Sequence, residues 1–311
     1  MDVVEPSALL ARPVEGHDPE LAPAFDVVEP SHLSTPLVLS SPHSGSIYPR
    51  SFLASARLSA TALRRSEDAF VDDLFSGAVG IGAPLLRAHF PRAYLDLNRE
   101  PFELDPRMFD GRLPSYVNAR SVRVAGGLGT IARIVGDSQE IYARRLGVDE
   151  GIARIHRLYF PYHEALQVLL NRAHRRFGVA ILIDCHSMPS LPAGGSGGDR
   201  RTGTDMVIGD RYGTSSGSAY VEALEQAAWK AGFGLQRNKP YAGGYITENY
   251  GRPAQGFHAI QIEIKRSLYM DERALARLGD FASVKERLTS VIASLAEFSL
   301  RDLVPGRLAA E

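Results

Sequence analysis

Two histidines follow short apolar runs, and a glutamate downstream of both stands between isoleucines. The first closes Pro36-Leu37-Val38-Leu39-Ser40-Ser41-Pro42-His43. The second closes Val179-Ala180-Ile181-Leu182-Ile183-Asp184-Cys185-His186. The glutamate is Glu263, in Ala259-Ile260-Gln261-Ile262-Glu263-Ile264. Groups at the carboxyl ends of strands point into the ligand crevice of an open α/β sheet. Two imidazoles, one acid and a separate carboxylate are the parts of a hydrolytic metal site. The missing oxygen donor has its best source in Arg65-Ser66-Glu67-Asp68-Ala69-Phe70-Val71-Asp72-Asp73. There a helix sets Asp68 and Asp72 four residues apart on one face.

Each residue also has a plainer reading. A single strand-end histidine is more often a satisfied structural group than a ligand. The acids near residue 68 equally suit a solvated helix face capped by Ser66. Alternation puts Gln261 and Glu263 on one side of a strand, which an edge strand facing water also explains. The pattern alone leaves these alternatives open.

These groups must be positioned by alternating elements. Strands are expected over 37–41, 84–89, 93–97, 179–184, 206–209 and 258–265, and helices over 60–78, 219–231 and 274–299. Two more helices are expected within 139–177, broken near 147–151 and kinked at Pro161. Residues 1–35 read as a lead-in and 36–311 as one catalytic domain. Residues 100–135, 193–203 and 237–253 read as loops, and a long loop in a compact domain is usually functional. The alternation predicts a single three-layer αβα sandwich around a mostly parallel or mixed sheet. The hexapeptide Asp-Val-Val-Glu-Pro-Ser occurs at Asp2–Ser7 and Asp26–Ser31, which is too short to make a repeat architecture.

The 311 residues carry a net charge of −1, so no global field draws the chain to nucleic acid or an anionic membrane. One cysteine excludes an internal disulfide framework and fits a reducing compartment. The start of the chain lacks signal-peptide character and no run is long enough to span a bilayer. A cytoplasmic location is expected.

Seven stretches, in order over residues 41–270, together resemble the N-formylglutamate amidohydrolase family, relatives of zinc carboxypeptidases and aspartoacylases. They are Ser41-Pro42-His43-Ser44-Gly45, the acidic stretch Glu67 to Leu74, and Arg92-Ala93-Tyr94-Leu95-Asp96-Leu97-Asn98-Arg99. Asp184-Cys185-His186-Ser187-Met188-Pro189 and Ile208 to Ser215 follow. The last two are Gly243-Gly244-Tyr245-Ile246-Thr247 and Gln261 to Met270.

The resemblance implies a zinc-carboxypeptidase-like (phosphorylase/hydrolase-like) fold and one zinc ion held by His43, Asp68 and His186. Glu67 remains a rival to Asp68, and Asp72 is a candidate to support the ligands. Glu263 resembles the general base, with Arg92 helping to stabilise the oxyanion. Asn98 and Arg99 resemble the Asn-Arg pair that holds a substrate carboxylate, a task suited to the planar guanidinium fork. Arg99 paired with Asp96 or Glu100 is the plainer reading. Arg211, Tyr245, Arg252 and Tyr269 are further substrate contacts, with packing and surface charge as their alternatives. The implied reaction is hydrolysis of the amide of a small N-formyl or N-acyl acidic amino acid. N-formyl-L-glutamate, a compound of histidine degradation, leads that class. A carboxypeptidase-like peptidase and an inactive binder of amino-acid derivatives are the alternatives. In the histidine-degradation enzymes Trp and His follow the helix aspartate, whereas here Ala69 and Phe70 do. The loop 100–135 is expected to set the choice of acyl group.

Rival motifs fall short of their requirements. Gly194-Gly195-Ser196-Gly197-Gly198 lacks the flanking strand and helix of a nucleophile elbow. His163-Glu164 has Gln167 where a zincin helix needs its second histidine. Cys185 reads as an inward strand residue. The Arg- and His-rich stretch 152–176 reads as a solvated face.

Overall fold

A computed structural model of the chain describes residues 19–190 and 203–302. Its centre is a seven-stranded sheet of order β1-β3-β2-β4-β7-β5-β6. The strands are β1 Phe25–Val28, β2 Leu37–Ser41, β3 Leu85–Ala88, β4 Ala180–Met188, β5 Met206–Gly209, β6 Leu235–Arg237 and β7 Phe257–Lys265. β4 runs parallel to both β2 and β7, and β5 is antiparallel to β7. The fold is therefore mixed α/β on a mixed sheet, as the alternation of elements predicts. β2 and β4 are buried along their whole length, which is why they read as unbroken apolar runs.

Contacts group the described chain into two units. One comprises the described residues up to Asp26 together with Pro42–Ala69 and Arg87–Gln167. The other comprises Val27–Ser41, Phe70–Leu86 and the described residues from Val168 onward. In the second unit, the principal helices are α4 Ser218–Lys230 and α6 Phe281–Asp302, which pack together. The first unit is built mostly of short elements and turns.

Several elements differ from expectation, each for a local reason. The helix over 60–78 is broken: α1 spans Ala60–Arg64 and α2 spans Val71–Phe75. Phe70 between them adopts a left-handed conformation with φ 67°, which no helix continues through. Ser59, not Ser66, caps α1, accepting from the Ala62 N–H. Asp68 and Asp72 therefore do not share a helix face. Residues 93–97 form a turn rather than a strand. Their alternation of buried Ala93, Leu95 and Leu97 is met without a sheet partner, and the Asp96 N–H donates to the Thr130 carbonyl instead.

The helical stretch beginning at Val148 runs without a break to Phe177, and Gly147 is its N-cap. We label its last part, Phe160–Phe177, α3. A π turn over Ile155–Tyr159 ends two residues before Pro161, which lacks an N–H, and the helix continues through the proline. β4 extends four residues past Asp184, so His186 lies inside a strand and not beyond its end. The loop 237–253 contains a short helix, α5 Tyr245–Tyr250. Residues 270–277 form a small hairpin rather than the start of α6, because the Asp271 carboxylate accepts the N–H groups of Arg273 and Ala274. The Asp26–Ser31 copy of the hexapeptide begins in edge strand β1. Its first copy and the Gly194–Gly198 segment lie outside the described residues.

Candidate active site

The site is founded on two central strands. In parallel register Gln261 faces Asp184 and Glu263 faces His186. Period two puts Asp184 and His186 on one face of β4, and Gln261 and Glu263 on the matching face of β7. All four are buried. Four polar side chains in the middle of a buried sheet are costly unless they bond to one another or to a ligand. β7 lies between β4 and β5, so the edge-strand explanation of Glu263 is excluded.

Within this patch the hydrogen bonds are directional. The Gly244 N–H donates to Gln261 Oε1 at 2.8 Å, which fixes the orientation of that amide. Gln261 Nε2 must then donate to Glu263 Oε1, also at 2.8 Å. His186 Nε2 lies 2.9 Å from Asp184 Oδ2. That contact leaves His186 Nδ1 as the nitrogen suited to a ligand.

His43 follows β2 by two residues. Its carbonyl accepts the Asp68 N–H at 3.0 Å, so the amide that would have continued a helix ties Asp68 to His43. His43 Nδ1 lies 3.5 Å from Asp68 Oδ2, and Nε2 lies 2.7 Å from Asp96 Oδ1. Asp96 also accepts the Asn98 N–H at 2.9 Å. Its other oxygen sits 2.7 Å from Arg92 and 3.6 Å from Arg99. Burial alone would raise the Asp96 pKa, but the two guanidiniums and His43 hold it well below the usual carboxylate range. An anionic Asp96 thus backs one imidazole and Asp184 the other, the arrangement by which metal-binding histidines are oriented.

His43, Asp68 and His186 are buried, and one donor atom from each lies within 4.8 Å of the other two. The structure brings together the three residues singled out as ligands. Glu67 is turned away: Arg64 and Tyr48 donate to its carboxylate at 3.0 and 2.7 Å. Two imidazoles and a carboxylate are the donors of a zinc site that keeps a position open. The donor set and its two backing carboxylates fit such an ion.

The chain matches the N-formylglutamate amidohydrolase family over residues 35–270. It belongs to that family. Among its relatives, the N-formylglutamate deformylase of Pseudomonas aeruginosa is 29% identical over 276 residues, 83% of this chain and 93% of that protein. The deformylase of Pseudomonas putida is 28% identical over 241 residues, 76% of this chain and 82% of that protein. Among solved structures, the N-formylglutamate amidohydrolase of Ralstonia eutropha superposes with a TM-score of 0.82 at 35% identity, covering 90% of this chain and 99% of that one. A protein of Agrobacterium tumefaciens, 18% identical with a TM-score of 0.63 over 88% of this chain and 95% of its own, shares the fold. This family member is accordingly an amidohydrolase.

The remaining candidates are placed unevenly. Arg99 is mostly buried and donates to the carbonyls of Leu128 and Asn98 at 2.9 and 2.8 Å. Its contact with Asp96 is therefore an internal one. Arg211 donates to the Gly243 carbonyl at 3.3 Å and lies 3.1 Å from Glu248. Arg211 and Tyr212 both adopt left-handed conformations, with φ 51° and 57°, and such strain gathers at functional sites. Tyr245 begins α5 and is half-buried. Arg252 is exposed, with its guanidinium 5.3 Å from the Phe257 ring centre. Tyr269 is fully buried and meets Phe281 edge to face. Asp72 sits in the first turn of α2.

Cys185 is fully buried, and burial followed by neighbouring Asp184 pushes its thiol pKa up, the opposite of an activated nucleophile. His163 makes a 3.0 Å contact from Nε2 to the Leu97 carbonyl. Sequence reasoning gave no role to Asp96, Asp184 or Gln261 in this site. The signal for two of them was present: Asp184 and Gln261 each precede a candidate residue by two on a strand, which is a shared face.

Proposed function

We propose that this protein hydrolyses the amide of an N-formyl acidic amino acid, N-formyl-L-glutamate foremost, releasing formate and the amino acid. The carrying observation is the buried His43–Asp68–His186 cluster with Glu263 in register beside His186. The activity named for the Pseudomonas and Ralstonia relatives supports the substrate. The family match over residues 35–270 supports a catalytic role for that stretch of the proposed 36–311 domain. A small-molecule partner fits, and no described helix is long and apolar enough to cross a membrane.

In this reading His43, Asp68 and His186 hold one zinc ion. A zinc ion bound there supplies an acidified water and polarises the acyl carbonyl. Asp96 and Asp184 hold the imidazoles in the tautomer that presents Nδ1 to the ion. The Glu263 carboxylate, aimed by Gln261, takes a proton from the attacking water and returns it to the departing nitrogen. Arg92 is close enough to Asp96 to share its charge and serves the developing oxyanion. Asn98 and Arg99 take the substrate α-carboxylate, with Arg211 and Tyr245 as further contacts. Arg252 and Tyr269 stay in this set as weaker members, given where they lie.

The test is metal analysis of the purified protein together with formate release from N-formyl-L-glutamate. Glu263→Gln should retain the metal and turn over about 10²–10⁴-fold more slowly. Metal loss in that variant would make Glu263 a ligand. Metal-loaded protein that hydrolyses small peptides and releases no formate would overturn the substrate.

A further inference from the structure

A polar cavity lies within the first unit. It has a volume of about 250 Å³ and is lined by Arg57, Arg107, Arg133, Arg144 and Arg145. Glu140 is the one acid on its wall, and Met108 and Tyr142 supply apolar surface. None of these residues belongs to the candidate active site. In a chain with net charge −1, five guanidiniums around one small space are a marked local excess.

The cavity already shows how it handles an oxyanion. The exposed Glu140 carboxylate bridges two of the arginines, 3.5 Å from Arg57 and 3.3 Å from Arg133. Buried Asp105 takes Arg107 at 2.7 Å and Arg133 at 3.0 Å. Three of the five guanidiniums thus pair with two carboxylates. Arg144 and Arg145 are exposed and make no ion pair among the described residues. Each guanidinium offers five N–H donors in a fork that matches carboxylate or phosphate oxygens. Most of those donors have no acceptor in the protein's own ion pairs.

We propose that this cavity is a binding site for a compact polyanion, a small molecule bearing two or more phosphate or carboxylate groups. Its volume falls just below the ~300–1,000 Å³ of drug-sized ligand pockets, so the ligand is small. Glu140 is the built-in competitor: it occupies two guanidiniums and lowers the positive potential that a ligand meets. Arg144 and Arg145 are the donors that recruit the ligand, and Arg57 and Arg133 close on it as Glu140 swings aside.

The experiment is calorimetric titration of the full chain with pyrophosphate and with citrate, at about 0.15 M salt. Saturable binding of either supports the site, and the tighter of the two tells phosphate from carboxylate chemistry. The Arg144→Ala/Arg145→Ala double variant should bind at least tenfold more weakly while hydrolysing N-formyl-L-glutamate normally. Glu140→Gln, which frees Arg57 and Arg133, should bind severalfold more tightly. Absence of saturable binding, or an unchanged affinity in the double variant, would overturn the proposal. So would a short single-stranded RNA binding more tightly than either small anion. A tenfold rise in KM for the hydrolysed substrate in the double variant would make the cavity part of the active site instead.

Discussion

Replacing Asp96 by asparagine separates orientation of a metal ligand from ordinary ion pairing. Asp96 Oδ1 receives His43 Nε2 at 2.7 Å and the Asn98 N–H at 2.9 Å, while Oδ2 receives Arg92 at 2.7 Å. An asparagine has one acceptor oxygen. If it serves His43 and Asn98, its NH₂ opposes the Arg92 guanidinium; if it flips, its NH₂ opposes His43 and Asn98. Either way donor meets donor at a nearly buried position. Hydrogen bonds to a charged group contribute about 1.5–3 kcal/mol, and removing one partner of a buried pair costs about 3–5 kcal/mol. Arg92 keeps some solvent, so about 2–4 kcal/mol of metal-free stability should be lost. Loss of the carboxylate behind His43 should weaken metal binding by about 10–100-fold, or roughly 1.4–2.7 kcal/mol. Zinc affinity is read by competition with a chromophoric chelator, and stability by denaturant unfolding of the metal-free protein. A folded Asp96→Asn protein with lowered stability and unchanged zinc affinity would show that Asp96 only pairs arginines, and the orientation argument would be wrong.

Asp184→Asn should weaken zinc binding by a similar factor through His186, and an unchanged affinity would remove Asp184 from the site. Gln261→Leu should lower kcat about tenfold with metal content and KM preserved, since it frees the Glu263 carboxylate without touching the donor cluster; a selective rise in KM would instead make Gln261 a substrate contact. His163 is buried, which lowers its pKa from 6.5 to about 4 despite the Leu97 carbonyl. A histidine depressed in the folded state contributes stability that is present above the unfolded value and is lost as pH falls through the folded one. Between pH 7 and 5 the wild type should therefore lose about 2 kcal/mol that a His163→Gln variant does not, measured by denaturant unfolding. An identical acid sensitivity in both proteins would exclude His163 as its source.

The strands that carry the site were legible because burial on both faces writes itself as an unbroken apolar run. β2 and β5 have the bounds expected of them, and β7 begins one residue early. The His43, Asp68 and His186 grouping was legible only with the family resemblance. From spacing alone Asp68 has no more claim than a surface acid, and the helix that would pair it with Asp72 is broken. What hid that break was Phe70, whose left-handed backbone has no marker in a sequence, since phenylalanine seldom adopts it. The turn at residues 93–97 hid for the opposite reason. Its alternation is a true burial pattern, but a turn packed on both sides produces the same period as a strand. Asp96 was invisible as an orienting group because its partner His43 lies 53 residues away in the chain.

The polar patch on β4 and β7 is buried and set in register. Asp184, His186, Gln261 and Glu263 pack in two rows, each residue set opposite another in register. Glu263 is aimed by Gln261, which is itself fixed by the Gly244 amide, and His186 is aimed by Asp184. Satisfied polar networks in a low-dielectric interior hold one arrangement firmly, and a half-satisfied one is costly. In the proposed mechanism, the same bonds that make the buried carboxylates affordable would also set the angles for proton transfer and metal binding. On that reading, precision would come from the central strands, where backbone register is least able to shift, while the turns that carry His43, Asp68 and Asp96 are tied to one another by the bonds that orient the first imidazole.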